Sequence, residues 1–395
     1  MNRLDSQPAR DTSGMRALII LSLLHFVVDT VATQLNPLWP TLVKHYRLGD
    51  GSTFWLLLVW TLVTSFFQLF FGMIGDGPAG RWLVWVGPMA GAICLGSIGL
   101  SSLSPMLISL LVVGGLGIAA FHPEGATLAG SCWPQSRSRA MSIFATGGFL
   151  GQSLGPALSG WVVDHHGLSG LRWGIGIGLM AICGLRLAYR GSDSAEPPIH
   201  GAIPIRPWSV LNENRFVVGL LLLIGTLRVV AASGAPITVA YWLTARLATS
   251  GEIGTVQSAF LFGIGLGGLL CASAVRPRTE RFALWSFPLL AVPCLLAIPQ
   301  ASGHWLLAAM FGSGLGIGIA QPVFISFGQQ LLPASQRIGS SLTMGVSWGT
   351  GGILVAAVVD QCDRHQSFGT AFVGFAVCII VSSVVCAWLP KVAAT

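Results

Sequence analysis

Charge is scarce in this sequence. Asp, Glu, Lys and Arg make up 9% of its 395 residues, against about 25% in an ordinary soluble domain, which excludes a water-soluble fold. Acidic residues are scarcer than basic ones, 14 against 21. The basic excess falls at the ends of apolar runs, so it is a topology signal, and nucleic acid is not an expected partner. No CxxC or HExxH spacing occurs; neither a metal nor a cofactor is expected. Cys94, Cys183, Cys271, Cys294, Cys378 and Cys386 lie inside apolar runs without paired spacing and are expected as small packing residues. Nothing near the N-terminus pairs a short apolar core with a small-residue cleavage site, so the first residues are expected to form a cytoplasmic tail.

What the chain does have is apolar runs, recurring from about Ala17 to Leu389 with short polar breaks. A bilayer needs roughly 20 such residues per helix. Twelve spans are predicted, near 16–40, 53–75, 82–101, 105–130, 138–163, 170–190, 215–245, 253–275, 281–300, 304–332, 338–360 and 367–389. The even number puts both termini on one side. That side carries Arg3, Arg10, Arg81, Arg137, Arg139, Arg276, Arg281 and Arg337, whereas the other carries Lys44, Arg47, Arg172, Arg246 and Arg364. Over all loops the bias is about three to one, which places both termini in the cytoplasm of a multi-pass cytoplasmic-membrane protein.

The polar, Pro- and Ser-containing stretch 191–214 divides the chain into an N-terminal six-helix bundle (1–190) and a C-terminal one (215–395), with a cytoplasmic linker between. The halves echo one another. Gly115-Leu116-Gly117-Ile118 and Pro123 match Gly314-Leu315-Gly316-Ile317 and Pro322 at an offset of 199, and Pro37 matches Pro236 at the same offset. Two similarly oriented halves predict an all-α fold of twelve transmembrane helices in two pseudo-symmetric bundles that rock about a site near the bilayer midplane.

Asp29, Glu124 and Arg228 lie well inside spans, with His25 and His122 beside them. A charge at a helix centre costs about 2.5–3.5 kcal/mol on insertion scales, so these residues mark a pathway or an interior site. The offset of 199 carries Asp29 onto Arg228, which predicts an acid and a base on opposite walls of one cavity; a buried ion pair retained for folding is the alternative. His25 and Asp29, four apart, share a helix face. A proton carrier needs a carboxyl without a fixed cation beside it, which favours Glu124 over Asp29. His25 and His122 relay protons or hydrogen-bond between helices. Arg228 is suited to a phosphonate or carboxylate. Gln321, Asn36, Gln152, Trp39 and Trp348 are candidate cavity liners, although tryptophan also favours membrane interfaces.

Three motifs carry a resemblance. Gly72-Met73-Ile74-Gly75-Asp76 with Gly80-Arg81, between the second and third spans, resembles the major facilitator loop signature. Gly147, Gly148, Gly151, Gly155, Pro156 and Gly160 in the fifth span resemble the glycine-proline signature of major facilitator antiporters, where small residues allow close packing and proline bends the helix. Phe121-His122-Pro123-Glu124, with His25 and Asp29, resembles the fosmidomycin-resistance family of efflux proteins. The fosmidomycin-resistance resemblance implies a proton-driven exporter of a small polar or anionic drug, and the two major facilitator signatures imply conformational roles for Gly72, Asp76, Arg81, Gly155 and Pro156; a monomer without enzymatic activity is expected. An importer of an organic anion or nutrient using the same residues, and a ligand sensor on the same fold, are the competing expectations.

Overall fold

The computed structural model describes residues 7–74, 78–133, 137–190, 211–274, 279–332, 339 and 341–390. Among them the chain is helical, with no strand. The longer helices are α1 (Gln7–Thr33), α2 (Trp39–His45), α3 (Ser52–Thr61), α4 (Phe67–Ile74), α5 (Pro78–Gly96), α6 (Ser104–Cys132), α7 (Arg137–His166) and α8 (Trp173–Arg190). They are followed by α9 (Arg215–Thr244), α10 (Ser250–Ala274), α11 (Glu280–Ser286), α12 (Ala291–Ala297), α13 (Gly303–Leu331), α14 (Ser347–His365) and α15 (Phe368–Val385). Ten helical segments of the described residues, from Ser13–His45 to Phe368–Trp388, are long and apolar enough to cross a membrane. A shorter apolar helix covers Ser52–Phe66. The 30-residue α7 is not among the ten, because Gly, Ser and Thr dilute its apolar content.

Large apolar side chains point outward as freely as inward. Met180 is 71% exposed, and Ile177, Leu187, Trp305 and Val384 are also exposed; a soluble monomer does not present apolar surface on this scale. This is a multi-pass membrane protein. All eight cysteines are free thiols.

Helix bounds repeat the internal echo. α6 runs from 104 to 132 and α13 from 303 to 331, both shifted by 199, and each is uninterrupted by its proline, Pro123 or Pro322. The first membrane segment ends at His45 and α9 at Thr244, again 199 apart. Glycines set the interhelical distances. A Cβ at Gly147 would lie 2.2 Å from the Ser22 carbonyl oxygen, and one at Gly151 2.2 Å from that of Phe26, so α7 lies directly on the α1 backbone. Gly117 and Gly87 bring α6 and α5 equally close.

Residues before 190 and after 211 meet along two seams, α7 on α10 and α3 on α14. On the first, Gly254 packs against the Pro156 carbonyl, and the Ala157 N–H donates to Ser258 Oγ at 3.1 Å. On the second, Gly349 packs on Phe66 and Gly352 on Thr61. The seam polar contacts gather at the end of the molecule where α7 finishes and α10 begins. There Asp164 Oδ1 accepts from the Ser250 N–H at 2.9 Å and Oδ2 from the Gly251 N–H at 2.8 Å. Beside it, Gln257 donates to the carbonyls of Asn36 at 3.1 Å and Pro236 at 2.7 Å, joining the bend after α1 to α9 and α10.

A carboxylate on the first amides of a helix is worth about 0.5–2 kcal/mol. Asp164→Asn is therefore expected to speed amide exchange of Ser250 and Gly251 severalfold, read by hydrogen–deuterium exchange, with exchange in α6 unchanged. Unaltered exchange at residues 250–251 would show that this contact does not hold the seam.

Of the residues expected to switch conformation, Asp76 lies outside the described residues. Gly72 and Arg81 fall in α4 and α5, but nothing of their side chains is described. Most of the 191–214 stretch also lies outside the described residues.

Candidate functional site

Asp29 is 2% exposed on α1, and a buried carboxylate is tolerated only when its lone pairs are satisfied. Three side chains do so. His25 Nε2, one turn earlier on the same face, lies 3.3 Å from Oδ2. His122 Nε2 reaches across from α6 to 3.1 Å from Oδ1. Gln152 Nε2, on α7, donates to Oδ2 at 2.8 Å. The helix beneath is tied by Thr33, whose hydroxyl donates to the Asp29 carbonyl at 2.8 Å.

Both imidazoles are held at their far nitrogens. His25 Nδ1 lies 2.9 Å from the Phe144 carbonyl oxygen and His122 Nδ1 2.9 Å from that of Ile118. A carbonyl only accepts, so each Nδ1 donates. Both Nε2 atoms are thereby turned toward the carboxylate, and each Nε2–Oδ contact needs a hydrogen or another cation between two lone-pair-bearing atoms. His25 is also stacked on Phe144, with ring centroids 4.2 Å apart at 22°, and stands edge-on to His122 at 5.4 Å. His122 is the more open of the two, with 25% of its side chain exposed against 11% for His25.

Gly148 makes room for this cluster. A Cβ there would lie 2.5 Å from His25 Cε1 and 2.8 Å from Asp29 Oδ2, closer than carbon and these atoms can approach. Three glycines at helical spacing, Gly147, Gly151 and Gly155, place α7 on α1; Gly148, on the adjacent face, keeps the site free. Gly148→Val is expected to displace His25 and Asp29 and to destabilise the fold by about 1–3 kcal/mol, read as a fall in melting temperature in detergent. An unchanged melting temperature would show that the cluster has slack.

Arg228 sits elsewhere. It is 4% exposed on α9; its Nη2 donates to the Leu284 carbonyl and contacts Cys386 Sγ at 3.4 Å, and its guanidinium carbon lies 5.4 Å from the centre of the Phe324 ring. Among the described residues, Nε and Nη1 have no hydrogen-bond partner. Asp29 and Arg228, expected on opposite walls of one cavity, form no ion pair among the described contacts. Every described partner of Asp29 belongs to residues before 190 and every described partner of Arg228 to residues after 211, because each side chain turns into its own set of helices instead of across the molecule.

The sequence model of the Major Facilitator Superfamily matches residues 21–357. The chain belongs to this superfamily. Within it, the chain is 25% identical over 365 residues to the fosmidomycin resistance protein of Escherichia coli (strain K12), covering 91% of this chain and 88% of that one. Its fold is that of solved major facilitator transporters. It superposes on a point mutant of the nucleoside transporter NupG with a TM-score of 0.72 at 14% identity, covering 96% of this chain and 100% of that one. It also matches a bacterial homologue of the human lysosomal transporter Spinster, in an inward-facing and unoccupied conformation, at 0.58 and 17% identity, with 97% and 95% covered.

Against that family background the remaining candidates fall into place unevenly. Glu124 is half-buried one residue after Pro123 in α6. Gln152, expected to line the cavity, is instead committed to Asp29. Asn36 contributes its backbone carbonyl to the seam. Trp39 is 1% exposed, packed against Trp60 at 6.1 Å between ring centroids, with its Nε1 unpartnered among the described residues. Gln321 is half-buried on α13, and Trp348 is 37% exposed on α14. Gly155 packs on Thr30 and Thr33 of α1, and the Pro156 carbonyl meets Gly254 on the far side of α7.

Local spacing along the chain does not reveal a cluster assembled from α1 and α6: His25, Asp29 and His122 each bring a ligand atom within 4.8 Å of the others. Phe144, Gly148, Asp164 and Ser258 were not singled out for these contacts. Only Gly148 carried a signal, as one of the span-five glycines.

Proposed function

We propose that this protein is a proton-coupled antiporter that exports a small polar or anionic compound across the cytoplasmic membrane by alternating access. The reading has twelve transmembrane helices, formed by the ten apolar segments together with 52–74 and α7. They make two bundles, residues 1–190 and 215–395, joined by a cytoplasmic linker, with both termini in the cytoplasm. The protein acts as a monomer.

One observation carries it. A buried carboxylate and two imidazoles, each locked at its outer nitrogen by a backbone carbonyl, converge so that a cation must lie between them. In a membrane interior such a costly group is retained where ions pass, and imidazole exchanges protons near physiological pH. Glu124, favoured over Asp29 from the sequence because Arg228 was expected beside Asp29, lies two residues beyond His122 on α6 and is half-buried; with Arg228 turned toward Leu284, Asp29 takes the carrier role and Glu124 passes the proton onward. In the positive-inside orientation, the seam held by Asp164 and Gln257 lies on the extracytoplasmic side. Arg228 has two unpartnered donors among the described residues but is turned toward Leu284 and Cys386, so it meets an anionic substrate only by leaving that position, while Gln321 and Trp348 line the path. Motion between the halves runs through the α3–α14 seam, where π-helical turns at Leu62–Phe66 and Ser341–Val346 provide loosened backbone at which helices bend.

The kinship with a fosmidomycin resistance protein supports fosmidomycin, a phosphonate, as the probe. Proteoliposomes with an imposed pH gradient, acidic on the side toward which substrate is carried, should accumulate the probe at that side. Flux indifferent to the gradient would remove the coupling, and accumulation at the opposite side would favour the importer. Saturable binding without any counterflow would favour the sensor.

A further inference from the structure

We infer that His25, Asp29 and His122 form a binding site for a divalent transition-metal cation such as Zn²⁺, Co²⁺ or Ni²⁺. The donor set is two imidazole nitrogens and one carboxylate, which suits these ions and not Mg²⁺ or Ca²⁺, whose shells are built from oxygen.

Three independent features of the cluster are those of a ligand set. The first is tautomer control. Both histidines give Nδ1–H to a backbone carbonyl, at 2.9 Å in each case, the outer bond by which metal-ligating histidines fix their orientation and expose the Nε2 lone pair. The second is spacing. Ligands at about 2.0–2.1 Å from a tetrahedral ion stand roughly 3.3 Å apart; here His122 Nε2 lies 3.1 Å from Oδ1 and His25 Nε2 3.3 Å from Oδ2, with the three ligand atoms within 4.8 Å of one another, so the set draws in by about 1 Å to share one ion. The third is support for the carboxylate. Gln152 holds Oδ2 at 2.8 Å, which orients Asp29 from behind without neutralising it.

These constraints come from three helices, so the site is set by the packing of α1 against α6 and α7 and not by a local turn. Gly148 removes the one side chain that would fill it. Three protein ligands leave a fourth position on the side of His122, whose ring is partly exposed; water or a substrate oxygen completes the shell there, as in open zinc sites. A dication so held cannot be exchanged as readily as a proton, so the metal arrests the transport cycle. That consequence rests on the coupling role proposed above, whereas the binding itself does not.

The test uses the full chain in detergent micelles, with His165 and His166 replaced by Ala throughout, since these neighbouring exposed histidines at the end of α7 are a separate source of metal affinity. Co²⁺ is titrated and its visible absorption followed. One equivalent giving the intense band of a four-coordinate ion, bleached by one equivalent of Zn²⁺, is the expected result. Calorimetry with Zn²⁺ should show affinity reduced by at least about 100-fold in Asp29→Asn and in His122→Gln, and about tenfold in Gln152→Ala. The cobalt spectrum needs no variant at the site itself, so a ligand variant that misfolds does not remove the test.

The weak band of six-coordinate cobalt, or Zn²⁺ affinity unchanged in both ligand variants, would overturn the site. In proteoliposomes, Zn²⁺ should suppress fosmidomycin flux in the wild type. Metal binding at one equivalent with flux indifferent to the pH gradient would refute the coupling role and leave the site standing. Gradient-driven flux with no metal bound would do the reverse.

Discussion

Asp29→Asn is expected to abolish gradient-driven transport while leaving the protein in the membrane. The change keeps the shape of the side chain and removes its charge. An amide oxygen can still accept from one histidine, but its NH2 group presents hydrogens where Oδ2 now accepts from Gln152 and faces His25. Breaking a buried charge pair on one side costs about 3–5 kcal/mol, equivalent to about two to three and a half orders of magnitude at about 1.4 kcal/mol per tenfold. Flux driven by a pH gradient should fall by that order. Exchange of labelled for unlabelled probe without a gradient should fall less, because it needs the rocking motion but no net movement of protons. Equal loss of both would assign Asp29 to folding or to the rocking itself.

Arg228→Met is the second large effect, and its two readouts should move in opposite directions. Among the described residues Arg228 is buried with no acidic partner, one carbonyl and one thiol as contacts, and two donors unpartnered. Replacing buried ionic groups by apolar residues of similar volume is often neutral or stabilises proteins by about 1–4 kcal/mol. The variant should therefore unfold at higher temperature in detergent and yet fail to carry an anionic probe. A guanidinium retained only to tie α9 to α11 would give lower stability, with transport per folded molecule unchanged. Arg228→Lys should lie between, keeping the charge but losing the planar fork.

Much of this arrangement was legible in the sequence. The repeat at an offset of 199 foretold that α6 and α13 would have matching bounds, since each carries the same Gly-Leu-Gly-Ile run and proline at the same register. Four-residue spacing foretold that His25 and Asp29 would share a face, and they lie 3.3 Å apart. The apolar runs foretold the membrane, although the helix Ser52–Phe66 is short and α7 is rich in small residues, so neither matches the simple apolar-span pattern.

What periodicity does not encode is which neighbour a given face meets. Asp29 and Arg228 occupy equivalent positions in the repeat, and the symmetry suggested that they face each other. Each instead turns into its own set of helices, where histidines serve the first and a carbonyl and a thiol the second. Gln152 looked like a cavity residue for the same reason: its polarity was visible, its partner was not. Asp164 carried no signal at all, because an aspartate near a helix end is ordinary until the N–H groups of Ser250 and Gly251 arrive 86 and 87 residues later. The glycines of α7 were read as packing residues, and most are; Gly148 differs only because its missing side chain borders Asp29.

The central claim is that outward passage of substrate is exchanged for inward passage of protons at the Asp29 cluster. Its most direct test is proteoliposomes that enclose a pH-sensitive dye and receive a fosmidomycin gradient with no pH gradient imposed. Probe moving one way is expected to drive protons the other, a change in lumenal pH that is absent in Asp29→Asn. Probe crossing the membrane in the wild type while lumenal pH stays constant would contradict it.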